Sequence, residues 1–180
     1  MKFLKISIKK FLIQLSNCIR DLSFSFKLRN IILRIQGCKI GNNVTIHSRT
    51  FLYEFGNLEV GNFVTINKKV LLDNRGKIKI GSNVNISHSC QLYTCGHDLS
   101  DLEAPMIKGA IELQDCVWVY PNVTFMPNIT VGKGSVIYPN SVVTKDVPPG
   151  SIVGGNPAKV IKQNINELAW KIDNRIHFSL

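Results

Sequence analysis

Aliphatic side chains recur at every sixth position over most of the chain. The period runs through three segments that begin twenty residues apart, 40–58, 60–78 and 80–92, and it resumes over 113–143. Seventeen positions follow it, and all are Leu, Ile, Val or Phe: Ile40, Ile46, Leu52, Leu58, Val60, Ile66, Leu72, Ile78, Ile80, Ile86, Leu92, Leu113, Val119, Phe125, Val131, Ile137 and Val143. A helix has a period of about 3.6 and a strand one of about 2, so neither produces a period of six. A short strand followed by a corner does, when three such sides close one coil of a solenoid.

The corners of this solenoid have a signature of their own. The position four residues after each aliphatic residue is apolar or small in most coils, which is expected where the interior narrows at a corner. Gly-Asn or Gly-Ser pairs at 41–42, 61–62 and 81–82 follow the aliphatic residue, where a positive φ costs little. We predict a domain of five coils over 40–162, stacked about 4.8 Å apart. The period breaks at 98–112, which we expect to loop out.

Residues 1–39 form a basic lead-in with helical spacing. Apolar residues at positions 4, 8, 11, 15 and 18–19 recur every three or four residues. Residues 1–35 carry eight Lys or Arg against Asp21 alone, and polar residues interrupt any apolar core of a signal peptide. Two interpretations stay open. Residues 1–20 contact an anionic membrane leaflet, or the helix packs its apolar face on the main domain or a neighbouring subunit. Either way it is a candidate cap for one end, with the short C-terminal tail 163–180 at the other.

Composition narrows the class of protein. The chain has 180 residues, 44% hydrophobic and 19% charged, which fits one folded domain and excludes disorder. No apolar run is long enough to span a bilayer as a helix. Five scattered cysteines favour a reducing compartment, so we expect a cytoplasmic protein, peripheral on the inner face of the membrane if the lead-in binds lipid. The net charge of +10 is concentrated in the lead-in, and the cations lack the interleaved aromatics typical of nucleic-acid binding.

His97 is the strongest candidate for chemistry. It follows Gly96 and opens the interrupting loop, where a side chain meets solvent beside rigid backbone. His88, Cys90, Cys95 and His97 are close in sequence, as in a zinc site. The coil register turns Cys90 inward and puts Cys95 and His97 on the next side, so we predict a buried thiol and no metal site.

Two further features invite a functional interpretation. Trp118 closes the first hexad after the loop, where it would either shelter a ligand near His97 or be ordinary packing. Polar and basic side chains gather towards the far end of the solenoid, where they suit a phosphate-bearing ligand or are simply solvated: Thr144, Lys145, Lys159 and Lys162.

Three segments, together with the hexad period, resemble the hexapeptide-repeat acyltransferases. They are YTCGHD (93–98), CVWVYPNV (116–123) and SVVTKDVPPGSIVGGNPAKVIK (141–162), and the likeness is greatest to the maltose/galactoside and colanic-acid-type capsule O-acetyltransferases. RNIILRIQGCKIG (29–41) resembles the lead-in of the capsule group. The resemblance covers about 29–162. It implies an all-β fold, a left-handed parallel β-helix, and a homotrimer with active sites between neighbouring subunits.

The resemblance also implies roles for individual residues. His97 matches the general base, Asn67 and Asp73 match a stretch that faces the acceptor sugar, and we add Trp118 to this substrate-binding set. The acyl donor that the resemblance implies is acetyl-CoA, and no metal is expected. The residues expected to bind this cofactor are Pro121, Pro139, Thr144, Lys145, Lys159 and Lys162. Relatives often carry small residues along the path of the pantetheine arm, where this chain has Tyr120-Pro121 and Tyr138-Pro139.

The sequence therefore predicts an acetyl-CoA-dependent O-acetyltransferase. Its acceptor would be a sugar hydroxyl of a capsular polysaccharide, exopolysaccharide or lipopolysaccharide precursor, free or lipid-linked. A histidine, which titrates near neutral pH, can take the proton of an alcohol as it attacks a thioester. The alternatives are an N-acetyltransferase of an amino sugar, an acetyltransferase of a small soluble sugar, and a non-catalytic solenoid scaffold.

Overall fold

The computed structural model describes residues 2–163 as a β-solenoid with two helices at one end. Helix α1 spans Lys2–Leu22 and helix α2 spans Phe26–Ile35. The predicted closing element at 163–180 lies outside the described residues, except for residue 163 itself.

Three sheets form the sides of the solenoid. The first sheet contains β1 (Lys39–Ile40), β4 (Leu58–Val60), β7 (Lys77–Ile80), β12 (Ala110–Leu113) and β15 (Ile129–Val131). The second contains β2 (Thr45–Ile46), β5 (Thr65–Ile66), β8 (Asn85–Ile86), β13 (Trp118–Val119), β16 (Val136–Ile137), β18 (Ile152–Gly154) and β19 (Lys159–Lys162). The third contains β3 (Phe51–Leu52), β6 (Leu71–Asp73), β9 (Gln91–Tyr93), β14 (Thr124–Phe125) and β17 (Val142–Val143). The corner of the solenoid that follows the first sheet is called edge 1. The corners that follow the second and third sheets are called edge 2 and edge 3.

The strands stack in the register that the six-residue period predicts. Neighbouring coils pair in parallel, for example Ile40 with Val60 and Ile66 with Ile86. All seventeen periodic positions are at most 8% exposed, so they form the core. The predicted solenoid is confirmed. Beyond its five coils, part of a sixth is added by β18 and by a bridge between Val131 and Val147.

The interrupting segment differs from the predicted loop at both ends. It begins at Cys95, where β10 (Cys95–His97) and β11 (Met106–Lys108) form an antiparallel hairpin. It ends before β12, although the sequence prediction extended the loop to residue 112. Ile111 and Leu113 alternate with polar residues and are fully buried, so this stretch returns to the first sheet. The extruded segment is therefore 95–109.

The first two coils share an enlarged corner at edge 3, which a buried amide organises. Asn74 has no exposed surface; its Oδ1 accepts from the backbone N–H groups of Tyr53 and Glu54, both at 3.0 Å. Its Nδ2 donates to the carbonyls of Glu54 and Gly56, at 2.8 and 2.7 Å. One side chain thus satisfies four backbone groups that the solenoid pattern leaves unpaired.

Helix α1 covers the open edge of the third sheet with its polar side. Asn17, which is 5% exposed, donates to the carbonyl of Leu52 at 2.9 Å and accepts from its N–H at 3.2 Å. Arg20, 3% exposed, donates to the carbonyl of Thr50 at 3.2 Å and also bonds the Asn17 amide. These side chains occupy the positions that another coil would take, which removes an exposed strand edge.

Helix α2 does the same for the first and second sheets. Its Arg29, Asn30 and Arg34 donate to the carbonyls of Ile46, Val44 and Ile40, at 3.1, 2.8 and 2.9 Å respectively. The two helices are therefore the cap that the sequence suggested for one end of the solenoid.

The apolar stripe of α1 does not pack on the solenoid. Leu4, Ile8, Phe11 and Leu15 are between 44% and 65% exposed, because the polar side of the helix faces the sheets. The interpretation in which the stripe packs on the main domain is therefore wrong, and the membrane and a neighbouring subunit are left. Over residues 2–163, no helix is long and apolar enough to cross a membrane.

Candidate active site

His97 lies on a β-hairpin that leaves the solenoid at edge 3. Its strand pairs antiparallel with β11, so that Gly96 lies opposite Ile107 and His97 opposite Met106. The side chain of His97 is exposed. The hairpin therefore holds the imidazole clear of the sheets on a hydrogen-bonded strand rather than on an irregular loop.

A backbone carbonyl fixes the tautomer of His97. Its Nδ1 lies 2.7 Å from the carbonyl oxygen of Ala104. Because a carbonyl oxygen can only accept, Nδ1 carries the proton and donates. In the neutral ring Nε2 is then unprotonated, and it is the nitrogen that can act as a general base.

The turn that carries this carbonyl is itself held in place. Ser100 donates to the carboxylate of Asp98 from its backbone N–H at 3.0 Å and from its hydroxyl at 2.6 Å. These bonds lower the pKa of Asp98. The N–H of Ala104 donates to the carbonyl of Asp101 at 2.9 Å. The partner of His97 thus belongs to a structured turn, which limits the orientations open to the imidazole.

Asp73 also lies at edge 3, where β6 pairs it with Tyr93 of the next coil. Its carboxylate is fully buried and accepts two bonds from Arg75, from Nε and Nη2, both at 2.8 Å. This bidentate contact raises the pKa of Arg75, whose guanidinium lies 5.1 Å from the ring centroid of Tyr53. The carboxylate that was expected to face an acceptor is therefore occupied by Arg75.

Arg75 is a candidate that sequence reasoning missed. It borders a cavity of about 550 Å³ between α1 and edge 3, which is also lined by Lys9, Lys10, Tyr53 and Glu54. Nothing in the spacing marks Arg75, because it sits in the enlarged corner outside the six-residue period. The only available signal was an arginine two residues after a predicted acceptor-facing aspartate.

Asn67 lies at edge 2, one side away from Asp73. Its amide donates to the carbonyl of Ile86 at 3.0 Å. It borders a cavity of about 310 Å³ whose other described lining residues are basic or small: His47, Lys68, Lys69, His88 and Ser89. Burial, and then the nearby cations Arg29 and Lys68, lower the pKa of His47. The cavity suits an anionic or strongly hydrogen-bonding ligand.

Two aromatic residues continue edge 2 towards the later coils. Tyr120 and Tyr138 follow β13 and β16, and their rings meet edge to face with centroids 6.1 Å apart. Each is about two-fifths exposed, at 42% and 41%. Pro121 and Pro139 come next in the chain, so the predicted path of the pantetheine arm is bordered by an aromatic ridge.

One threonine and three lysines that are predicted to bind the cofactor do not form one cluster in this chain. Thr144 and Lys145 follow β17 at edge 3 and are exposed. Lys159 and Lys162 lie on β19, which pairs antiparallel with β18 as the outermost strand of the second sheet. Two of the four residues therefore lie at edge 3, and the other two lie on the second sheet.

Trp118 occupies β13, half-buried between Asn85 and Val136 of the neighbouring coils. That strand is in the second sheet, whereas the hairpin of His97 leaves edge 3, between the third and first sheets. Within one chain Trp118 therefore does not cover His97.

The predicted site residues consequently divide between two sides. His97, Asp73, Thr144 and Lys145 lie at edge 3. The second sheet and edge 2 carry the rest: Asn67, Trp118, Pro121, Pro139, Lys159 and Lys162. The width of the third sheet separates the two edges.

Cys90 is fully buried in the core. Burial raises the pKa of its thiol to about 11, as expected of an inert, inward-facing cysteine. Within residues 2–163, no three His, Cys, Asp or Glu side chains are arranged to hold a metal ion.

Comparisons with known proteins agree with the solenoid fold. Residues 111–145 match the family described as bacterial transferase hexapeptide (six repeats). Over 90% of each chain, the fold matches the hexapeptide-repeat acetyltransferase VCA0836 of Vibrio cholerae, solved with acetyl coenzyme A, at a TM-score of 0.83 and 27% identity. Residues 111–145 thus carry the repeat of this transferase family, and the fold of the chain is similar to that of a hexapeptide-repeat acetyltransferase.

Two further acetyltransferases are similar to this chain, one over most of it and one over about half. A maltose O-acetyltransferase from Clostridium difficile 630 superposes with a TM-score of 0.75 and 26% identity, over 89% of this chain and 88% of its own. A probable macrolide acetyltransferase of Lysinibacillus sphaericus is 37% identical over 91 residues, 49% of this chain and 47% of its own. The chain thus spans less than half the length of the curated relatives that it matches.

Proposed function

We propose that this chain is a hexapeptide-repeat transferase, and that it acts as an acetyl-CoA-dependent O-acetyltransferase with His97 as its general base. The observation that carries the proposal is the bond between Nδ1 of His97 and the Ala104 carbonyl, which leaves Nε2 free to accept a proton. The names of the similar proteins, which are acetyltransferases, support the reaction class.

The residues of the chain fit a coenzyme A thioester. The exposed ammonium groups of Lys145 at edge 3 of one chain, and of Lys159 and Lys162 on the second sheet of a neighbouring copy, suit its phosphates. The ridge of Tyr120 and Tyr138 offers apolar surface to its arm. Acetyl-CoA would supply the acetyl group as a reactive thioester.

His97 would act on the acceptor. Its Nε2 takes the proton of the attacking sugar hydroxyl, and the Ala104 carbonyl stabilises the resulting imidazolium through Nδ1. The proton is then available for the departing thiolate. A positioned general base of this kind contributes about 10²- to 10⁴-fold to the rate.

The acceptor in this proposal is a sugar of a capsular polysaccharide, exopolysaccharide or lipopolysaccharide precursor, free or lipid-linked. The basic cavity around Asn67, Lys68 and Lys69 supports an acceptor that bears a carboxylate or a phosphate. Asn67 and Trp118 would bind the sugar, and Asp73 would act through Arg75, whose guanidinium its carboxylate orients.

A homotrimer completes the proposed site. Because His97 lies at edge 3 and the cavity of Asn67 at edge 2, one chain alone does not bring them together. Packing edge 3 of one chain against edge 2 of the next would bring His97 to the cavity of Asn67. In a closed ring of three copies, every chain makes both of these contacts. The proposal also places the protein in the cytoplasm, on the inner face of the membrane, in contact through residues 1–20.

The test is thiol release from acetyl-CoA by the purified protein over a panel of acceptors. Neutral sugars, acidic sugars, amino sugars and lipid-linked saccharides are compared, and the product linkage is read by mass spectrometry and NMR. Ester formation on an acidic or phosphate-bearing sugar supports the proposal. Amide formation on an amino sugar would establish the N-acetyltransferase, and transfer to small neutral sugars alone would establish a soluble-sugar enzyme. No release with any acceptor, together with no heat of binding of coenzyme A, would leave the scaffold.

A further inference from the structure

Helix α1 is amphipathic in the opposite sense to most helices on a domain surface. Such helices bury their apolar face and expose their polar one. Here the polar side, with Asn17 and Arg20, is buried against the sheets at 5% and 3% exposure. The apolar side faces solvent along the 21-residue helix, about 31 Å long at about 1.5 Å per residue.

Helix α2 and the turn before it extend this apolar surface. Phe24 is 77% exposed and Ile35 is 81% exposed, with Leu28 and Ile31 between them at about half. We name the whole set the outer cap surface: Leu4, Ile8, Phe11, Leu12, Leu15, Ile19, Leu22, Phe24, Leu28, Ile31 and Ile35. An apolar surface of this extent at one end of a folded domain marks an interaction site.

The charges around the outer cap surface identify what would cover it. Lys5, Lys10 and Lys27 are exposed on the same two helices. The one acidic residue of residues 2–35, Asp21, is engaged by the N–H of Arg49 at 2.6 Å. Exposed phenylalanine and aliphatic side chains bordered by lysines form the pattern of a helix that lies in the interface of an anionic membrane.

A second copy of the chain is the less favourable occupant. Two caps brought face to face would oppose one strongly basic surface to another, which costs electrostatic free energy. Anionic lipid headgroups neutralise the same charges while the acyl boundary takes the apolar side chains.

We propose that the outer cap surface docks the protein end-on onto an anionic membrane, with the solenoid axis along the membrane normal. This deepens the membrane contact in the proposed function, because it assigns the surface, the orientation and the lipid charge. The coils rise about 4.8 Å each, so the basic cavity of His47, Asn67 and His88, in the first three coils, lies within roughly 15 Å of the cap. A lipid-linked acceptor anchored by a phosphate could reach that cavity.

The experiment is cosedimentation of the full-length protein with vesicles. Phosphatidylcholine vesicles are compared with vesicles of phosphatidylcholine and phosphatidylglycerol. We expect the wild type to bind the anionic vesicles at least about tenfold more tightly, with the difference shrinking in high salt. The double variant Phe11→Glu, Leu15→Glu, at two exposed positions, should lose at least about tenfold of this binding. Leu102→Glu, a matched change at the exposed tip of the hairpin, should leave it unchanged.

A stability measurement and a second variant serve as controls. Thermal melts establish that the double variant is folded, and a variant Lys5→Gln, Lys10→Gln tests the charge without altering the apolar surface. The proposal is overturned if the wild type does not bind the anionic vesicles. It is also overturned if both variants bind them as tightly as the wild type does. So does a drop in oligomeric state of the Glu variant in analytical ultracentrifugation, since the cap would then be a contact between copies. Thiol release with soluble acceptors is measured in parallel, so that failure to dock is distinguished from failure of the acetyl transfer.

Discussion

Replacing Asn17 with Ala removes the side chain that closes the open edge of the third sheet. In the wild type its amide pairs with both the N–H and the carbonyl of Leu52, at 3.2 and 2.9 Å, in a site that is 5% exposed. Alanine keeps the helix but offers neither donor nor acceptor. Both backbone groups of Leu52 would lose their partner while remaining covered by α1.

The size of the effect follows from these two groups. A buried polar group that loses its partner costs about 1–3 kcal/mol. Two such groups give about 2–4 kcal/mol once water entering the gap compensates part of the loss. For a chain of this length, each kcal/mol corresponds to a fall in Tm of about 2–4 °C, so we expect a fall of roughly 5–15 °C.

Differential scanning calorimetry of the purified variant measures this directly. Gln14→Ala is the matched control, because it removes an exposed amide from the same helix and should change stability by less than about 0.5 kcal/mol. If Asn17→Ala melts at the same temperature as Gln14→Ala, the amide does not close the edge, and the account of the cap is wrong.

Two further predictions concern glycine and histidine positions in the solenoid. A Cβ at Gly76 would lie 2.1 Å from the carbonyl oxygen of Gly109, so Gly76→Ala should cost about 1–3 kcal/mol in urea unfolding. Gly96→Ala, where nothing lies within 4 Å, should be nearly neutral, and equal effects would contradict the crowding argument. Burial lowers the pKa of His47 below its ordinary value of 6.5, so at slightly acidic pH the unfolded chain binds more protons than the folded protein does. The stability of the folded protein therefore falls as the pH drops below neutrality. His47→Gln should lose less Tm than the wild type between about pH 7.5 and about pH 5.5, and parallel losses would refute this assignment.

The six-residue period was enough to predict the solenoid because it is a local property repeated in every coil. Each aliphatic residue occupies an interior position, and no long-range information is needed to place it. The hairpin boundaries were not predictable to the same degree. Cys95 and Gly96 continue the chain beyond β9, and only their pairing with Lys108 and Ile107 shows that they have already left the solenoid.

Periodicity also could not predict which face of α1 contacts the solenoid. The spacing of Leu4, Ile8, Phe11 and Leu15 defines an apolar stripe but not what the stripe faces. That depends on the unpaired backbone of β3, which favours the amide of Asn17 over an apolar contact. Hydrogen-bonding needs at a sheet edge thus outweigh the usual preference for burying the apolar face.

In the candidate site, the sequence shows that His97 follows the coil, but it does not show the Ala104 partner of its imidazole. The partner depends on how the turn of the hairpin folds back, which the six intervening residues determine together. Arg75 was missed because the enlarged corner lies outside the period. The division of the predicted residues between two edges is likewise a property of the stacked coils, which no segment of sequence displays alone.

The central claim is that His97 is the general base of an acetyltransferase, and steady-state thiol release by the His97→Ala protein tests it most directly. With an accepted sugar and saturating acetyl-CoA, we predict that kcat falls by about 10²- to 10⁴-fold, or about 3–5 kcal/mol in the barrier. Leu102→Ala, on the same hairpin, should retain wild-type turnover, and both variants should melt near the wild-type temperature. Wild-type turnover by His97→Ala would contradict the account.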